Sequence, residues 1–162
     1  MTSTIPLPRT AGWREWIALP DLGVSAIKAK LDTGARTSAV HAFDVETYEK
    51  NGQAWVRFSI HPLQKDDLTA IPCDALLVDR RMVTNPGGRR EQRLIVETTL
   101  ALGGEAWPIE LSLTDRDEMG MRMLLGRTAM KKRLVVDPAR SYVLGKRKRK
   151  QRKSRRTGDD AG

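Results

Sequence analysis

The sequence predicts an all-β domain: a closed barrel or sandwich of short strands with one short helix. Three observations carry this. Apolar residues fall in short runs punctuated by Gly, Pro and Asn, which is how strands and tight turns alternate. Two of the punctuation marks, Asn51-Gly52 and Asn85-Pro86-Gly87-Gly88, sit between matched strand-like runs and read as hairpins. No run approaches the ~18 apolar residues of a membrane-spanning helix, and only Gly126 to Arg133 has the makings of one or two helical turns.

The elements follow in order. Trp13 to Leu19 reads as a strand, and Pro20-Asp21-Leu22-Gly23 has turn chemistry. Val24 to Leu31 is the second strand. Val40 to Tyr48 and Ala54 to Ile60 flank Asn51-Gly52. Ile71 to Val83 and Arg93 to Ala101 flank the second hairpin turn. Gly103-Gly104 leads into Ala106 to Leu113, and Met121 to Leu125 is a short apolar run. Val135-Val136 and Tyr142 to Leu144 close the domain. Eight or so short strands at this spacing favour closure over an open sheet.

The chain has 162 residues, 40% hydrophobic and 30% charged, enough for one domain with a real core. Its single cysteine, Cys73, excludes an internal disulfide and a multi-cysteine zinc knuckle. The start, MTSTIPLPRT, lacks the basic and apolar regions of a signal peptide, so a cytoplasmic protein without membrane contact is expected. The net charge of +9 is unevenly placed: residues 146–162 carry nine Lys or Arg against Asp159 and Asp160, whereas residues 1–145 carry twenty against eighteen acids. Residues 1–11 read as an extension, 12–145 as the domain, and 146–162 as a basic tail. Such a block repels itself and has nothing to bury, so disorder is expected. It suits an anionic polymer such as RNA or the ribosome. Without an aromatic for stacking, it implies no base preference.

One tripeptide carries chemistry: Asp32-Thr33-Gly34, between the apolar run ending in Leu31 and Ala35. An Asp at the end of an apolar strand is costly unless hydrogen-bonded or shared. Gly34 allows close approach of the backbone, and the Thr33 hydroxyl can tie the loop down. Alone, the tripeptide reads equally as an Asx-type turn. Some ninety residues later Leu124-Leu125-Gly126-Arg127 pairs an apolar doublet with a Gly and the start of a helix.

The pairing of these two motifs resembles the retropepsin-type aspartic proteases, in which the second motif braces the loop holding the catalytic Asp. Ile27 to Ala42, Gly12 to Trp16, Ile60 to Leu63 and Arg122 to Arg127 together resemble a bacterial retropepsin-like group labelled "ATP-dependent zinc protease". Some of its members accompany an ATP-grasp (RimK-type) ligase that adds glutamate to a ribosomal protein. The resemblance covers roughly residues 12–145. The label finds no support in the residues: there is neither a phosphate-binding Gly-x-x-x-x-Gly-Lys-Ser/Thr loop nor a His-Glu-x-x-His pair. No cofactor is expected, and no metal is assigned to His41, His61 and Cys73, which lie on three different runs.

The resemblance implies aspartic proteolysis by two carboxylates that share a proton and hold a water. This chain carries one such motif, so the second Asp32 has to come from another copy through a two-fold axis. A homodimer is therefore expected, with Asp32, Thr33 and Gly34 at the axis and Ala35, Leu124, Leu125 and Gly126 as support. Thr84 to Arg90 is the candidate flap, with the Asn51-Gly52 hairpin as runner-up. Retroviral-type enzymes place an acid after the Ala, where it pairs with the Arg of the second motif; here that position is Arg36. Arg36 and Arg127 then need an anion between them. Asp115, Asp117 or Glu118 would serve, as would a substrate carboxylate, which Arg binds in two-pronged fashion. With His41, Arg89 and Arg90 adding positive character, an acidic, glutamate-rich peptide or a glutamate-modified ribosomal protein fits. The competing readings are a noncatalytic module that holds such a peptide or the ligase, and an RNA- or ribosome-associated adaptor acting through the tail. Trp13, Trp16, Trp55 and Trp107 read as core or interface anchors.

Overall fold

The computed structural model describes residues 7–63, 68–84, 87–115 and 121–145. The strands are β1 (Arg9–Gly12), β2 (Arg14–Leu19), β3 (Val24–Leu31), β4 (Ser38–His41), β5 (Phe43–Lys50), β6 (Gln53–Ile60), β7 (Ile71–Thr84), β8 (Arg90–Leu102), β9 (Glu105–Thr114), β10 (Met123–Leu125) and β11 (Leu134–Asp137), with one short helix, α1 (Arg127–Met130). The fold is all-β. One sheet runs β2-β3-β10-β4-β9-β8-β7-β6-β5, and a further pairing of Ala18 with Ala101 joins β2 to β8. Six strands thus form a ring, and β7, β6 and β5 continue beyond β8. Ring closure pairs the β2 edge with β8, and β5 remains as the edge strand of the sheet among the described residues.

Local chemistry explains the elements. In β3 the side chains of Val24, Ile27, Ala29 and Leu31 are buried while Lys28 and Lys30 are half-buried, the alternation of a strand with one face on the core. Opposite the single Ala18 between Ile17 and Leu19, β3 has two residues, Ser25 and Ala26, and this bulge resets the alternation. Asn51 and Gly52 both take positive φ, 54° and 76°, between the paired Lys50 and Gln53, the backbone of a type I′ hairpin turn. Gly103 and Gly104 repeat it between Leu102 and Glu105. Phe58, Ile60, Leu100, Leu111 and Leu125 are among the fully buried side chains of the core, each stabilising the fold by about 1.5–3 kcal/mol.

Three features depart from the sequence reading. The run from Val40 to Tyr48 is two strands: Ala42 donates its N–H to Thr114 O, and Asp44 turns the chain at φ 54°. Arg9–Gly12 is a strand, paired in parallel with β11. Tyr142 to Leu144 is no strand. Its end is pinned instead by Glu15, a fully buried carboxylate that accepts the backbone N–H groups of Gly12, Val143, Leu144 and Gly145 at 2.6–3.0 Å. Four donors satisfy a charge that burial would otherwise penalise heavily. Of the tryptophans, Trp107 is core, donating its indole N–H to Ala129 O at 2.9 Å. Trp13, Trp16 and Trp55 are half-exposed under the cations of Arg14, Lys28 and Lys50.

Candidate active site

The loop carrying Asp32 joins β3 to β4, and β10 lies between these two strands. It runs parallel to β3, with Leu125 opposite Leu31, and antiparallel to β4, with Leu124 opposite Ala39. The loop therefore has to cross the end of β10, and the two motifs meet there. Asp32 donates its N–H to Leu125 O at 2.9 Å, and Arg127 donates its own to Ala35 O at 2.8 Å. Arg36 O accepts the Thr128 hydroxyl at 2.8 Å, and Ser38 Oγ accepts the Gly126 N–H at 3.0 Å. Gly126 is required by this crossing: a Cβ there would lie 2.7 Å from the Thr37 carbonyl carbon and 2.9 Å from Arg36 O.

Inside the loop, Asp32 Oδ1 accepts the Gly34 N–H at 2.9 Å, and Ala35 donates its N–H to Asp32 O at 3.1 Å. This is an Asx turn. It fixes one carboxylate oxygen, Oδ1. A side chain at position 34 would press on that carboxylate, since its Cβ would sit 3.2 Å from Oδ1. Asp32 is half-buried, while Thr33 and Gly34 are exposed. The Arg127 guanidinium donates from Nη1 to Gly34 O at 3.2 Å, so this arginine braces the loop directly.

A cavity of about 190 Å³ opens beside Asp32; Lys30, His41, Arg93 and Arg122 share its lining. Of these, only His41 was anticipated. Lys30 was legible, because two residues before Asp32 on an extended chain is the same face. Arg93 and Arg122 required the strand register. A second cavity, about 260 Å³, holds Arg36 with Arg81, Glu97 and Glu110. There Arg81 donates to Glu110 at 2.8 Å and to Asp79 at 2.6 Å, and these carboxylates hold its guanidinium above its ordinary pKa. Arg36 itself is exposed and forms no ion pair among the described residues. Asp115 is exposed; Asp117 and Glu118 lie outside the described residues.

The long β7–β8 hairpin pairs Thr84 with Arg90 at its outer end. Arg89 and Arg90 are exposed there, and Asn85 and Pro86 lie outside the described residues. The Asn51-Gly52 hairpin belongs to the far end of the sheet, beyond β7. His41 and His61 stack at 6.2 Å between centroids, His61 Nδ1 lies 2.9 Å from Thr69 O, and its ring lies on Phe43 at 4.3 Å. Cys73 is buried, its Sγ near Leu22 O and Ile71 O, and burial pushes its thiol up to about 12. Among the described residues no group of three His, Cys, Asp or Glu is placed to hold a metal ion.

A family model described as RimB-like, retropepsin-like aspartic endopeptidase RimB, matches residues 10–147. The chain belongs to this RimB-like family. The match takes in both motifs, the ring of strands and the Glu15 clamp. Curated relatives of the chain include proteins named "Probable alpha-L-glutamate ligase" from Shewanella pealeana, 46% identical over 84% of the chain, and from Parasynechococcus marenigrum, 47% identical over 83%. The chain spans only about three-tenths of the length of these relatives. A crystal structure of a Legionella pneumophila protein of unknown function (DUF785) shares the fold, with a TM-score of 0.69 and 27% identity over 84% of this chain and 98% of that one. No helix among the described residues is long and apolar enough to cross a membrane.

Proposed function

We propose that this RimB-like chain is an aspartic endopeptidase that works as a homodimer on glutamate-rich peptides or a glutamate-modified ribosomal protein. The observation that carries this reading is the lock between the Asp32 loop and β10, which holds one carboxylate beside a cavity with one oxygen already oriented. In the dimer, Asp32 from each copy faces the other across a two-fold axis. Two carboxylates that close cannot both ionise cheaply. One keeps its proton and polarises the scissile carbonyl; the other draws a proton from the water between them, which attacks. The pair titrates as a unit. Thr33 hydrogen-bonds across the axis and Gly34 permits the close approach.

The β7–β8 hairpin closes over the peptide as a flap, with Arg89 and Arg90 near its tip. Arg36, His41 and Arg127 add positive charge around the cleft and suit an acidic substrate. Replacing Asp32 by Asn tests the chemistry. Turnover of a glutamate-rich peptide disappears while the peptide still binds; retained turnover in Asp32→Asn contradicts the reading.

A second reading has a specific observation behind it. The matched region makes up about three-tenths of relatives that are named as glutamate ligases. Under this reading the domain is a module that holds the ligase or its acidic product without cutting it. Under that reading Asp32→Asn changes neither binding nor ligase output. Deleting the basic residues 146–162 removes all function if the chain is an RNA- or ribosome-associated adaptor, whereas the endopeptidase reading keeps peptide cleavage.

A further inference from the structure

The two cavities flanking the Asp32 loop differ in charge. The one holding Arg36 contains its own carboxylates, Glu97 and Glu110. The one holding Asp32 is lined by Lys30, His41, Arg93 and Arg122, and Asp32 is the only acid among its described lining residues. Arg122 already donates its Nε–H to Leu63 O at 3.3 Å.

Among the described residues, two polar side chains in that cavity are incompletely paired. Arg93 spends its Nε–H on Glu91, at 2.9 Å, which leaves the N–H groups of its two terminal nitrogens, the fork that fits a carboxylate. His41 Nδ1 is buried without a hydrogen-bond partner among the described residues, and a buried polar atom in that condition calls for a ligand or water. Both side chains sit on well-anchored strands. His41 is in β4, held by its N–H to Arg122 O at 2.8 Å and by its pairing with Thr114 of β9. Arg93 is in β8, opposite Arg81 in the hairpin stem.

We infer that this cavity is the subsite for an acidic side chain adjoining the scissile bond, and that Arg93 is its specificity-determining residue. Arg93 grips the carboxylate with its terminal nitrogens, His41 Nδ1 supplies or accepts one further hydrogen bond, and Lys30 adds charge from the strand that carries Asp32. The volume of about 190 Å³ equals several water volumes and accommodates one extended acidic side chain. The inference rests on the proposed endopeptidase reading and gives the principal grip on the acidic side chain to Arg93, with Arg36 and Arg127 contributing only charge around the cleft: Arg36 lies in a cavity that also holds Glu97 and Glu110, and Arg127 braces Gly34. Because Glu91 and Arg93 both lie in the flap hairpin, selectivity is coupled to how that hairpin seats.

The test measures binding, so it does not depend on turnover. In the full chain carrying Asp32→Asn, affinities are measured for a fluorescent oligoglutamate peptide and its oligoglutamine counterpart, with and without Arg93→Gln. The preference for oligoglutamate falls by about 30-fold or more when Arg93 is replaced, and Arg93→Lys restores part of it. Lys30→Gln, on a different strand, lowers the same preference less and guards against a folding defect at position 93. An unchanged preference in Arg93→Gln overturns the inference, as does a preference lost equally in Arg36→Gln. Cleavage by the unsubstituted protein is scored separately. Cleavage with an Arg93-independent preference overturns the subsite alone. An Arg93-dependent preference without any cleavage overturns the endopeptidase reading and leaves the binding site in place.

Discussion

Arg127 reaches Gly34 across 93 residues of sequence and donates a guanidinium N–H to its carbonyl at 3.2 Å. The bond ties the last residue of the second motif to the last residue of the first. It makes the loop geometry a property of two distant segments at once. Where an acid follows the Ala in retroviral-type enzymes, this chain has Arg36, and its Arg127 finds a backbone carbonyl instead.

Replacing Arg127 by Ala therefore separates activity from stability. The bond is exposed, so the denaturation midpoint shifts by the equivalent of no more than about 1 kcal/mol. A loosened loop misplaces the carboxylate, and kcat/KM falls by about 10- to 100-fold. Peptide cleavage and urea unfolding on the same preparation check both; a large stability loss with intact activity would contradict the assigned role.

Glu15 holds the end of the domain shut. Glu15→Gln replaces one acceptor oxygen by an amide that faces backbone N–H donors from Gly12 and residues 143–145. Donor meets donor and a charge-assisted set is lost, so the fold loses about 3 kcal/mol or more. Urea unfolding gives the number. Hydrogen exchange shows the loss first at the amides of Val143, Leu144 and Gly145, and unchanged protection there would refute the clamp.

Cys73 leaves a mark at alkaline pH. Its thiol rises from about 9 to about 12 because burial disfavours the thiolate. A raised folded-state pKa means the folded chain holds the proton that the unfolded chain releases. The stabilisation is complete below about pH 9 and is lost as pH rises toward about 12. Native protein at pH 8 accordingly resists thiol reagents until denatured. Cys73→Ala flattens the fall in stability above pH 9, and rapid labelling of the native protein would contradict the burial.

Much of this was legible locally. Asn51-Gly52 needs two positive φ angles, and its neighbours alternate, so the turn and both strands follow from the residues. Asp32-Thr33-Gly34 and Leu124-Leu125-Gly126-Arg127 point to each other through their chemistry. The break at Ala42 was not legible, because Val40 to Tyr48 is continuous in strand propensity and the interruption is set by a hydrogen bond to Thr114. Strand β1 was hidden for a similar reason: Arg-Thr-Ala-Gly shows no alternation, and its partner is Leu134–Asp137. Glu15 looked like an ordinary strand residue; its four donors include three from 128 to 130 residues away. At the site, Lys30 follows from strand period, whereas Arg93 enters only through the register of β8 on β9 and of β9 on β4.

The proposed catalytic centre needs two copies of Asp32. A crystal structure of the assembled protein with a peptide inhibitor, at a resolution that shows the bound water, tests it most directly. Two Asp32 carboxylates about 3 Å apart across a two-fold axis, both in contact with that water or the group replacing it, are expected. Carboxylates turned away from each other in an assembly that cleaves peptide, or a cleaving protein that is monomeric in solution, would contradict it.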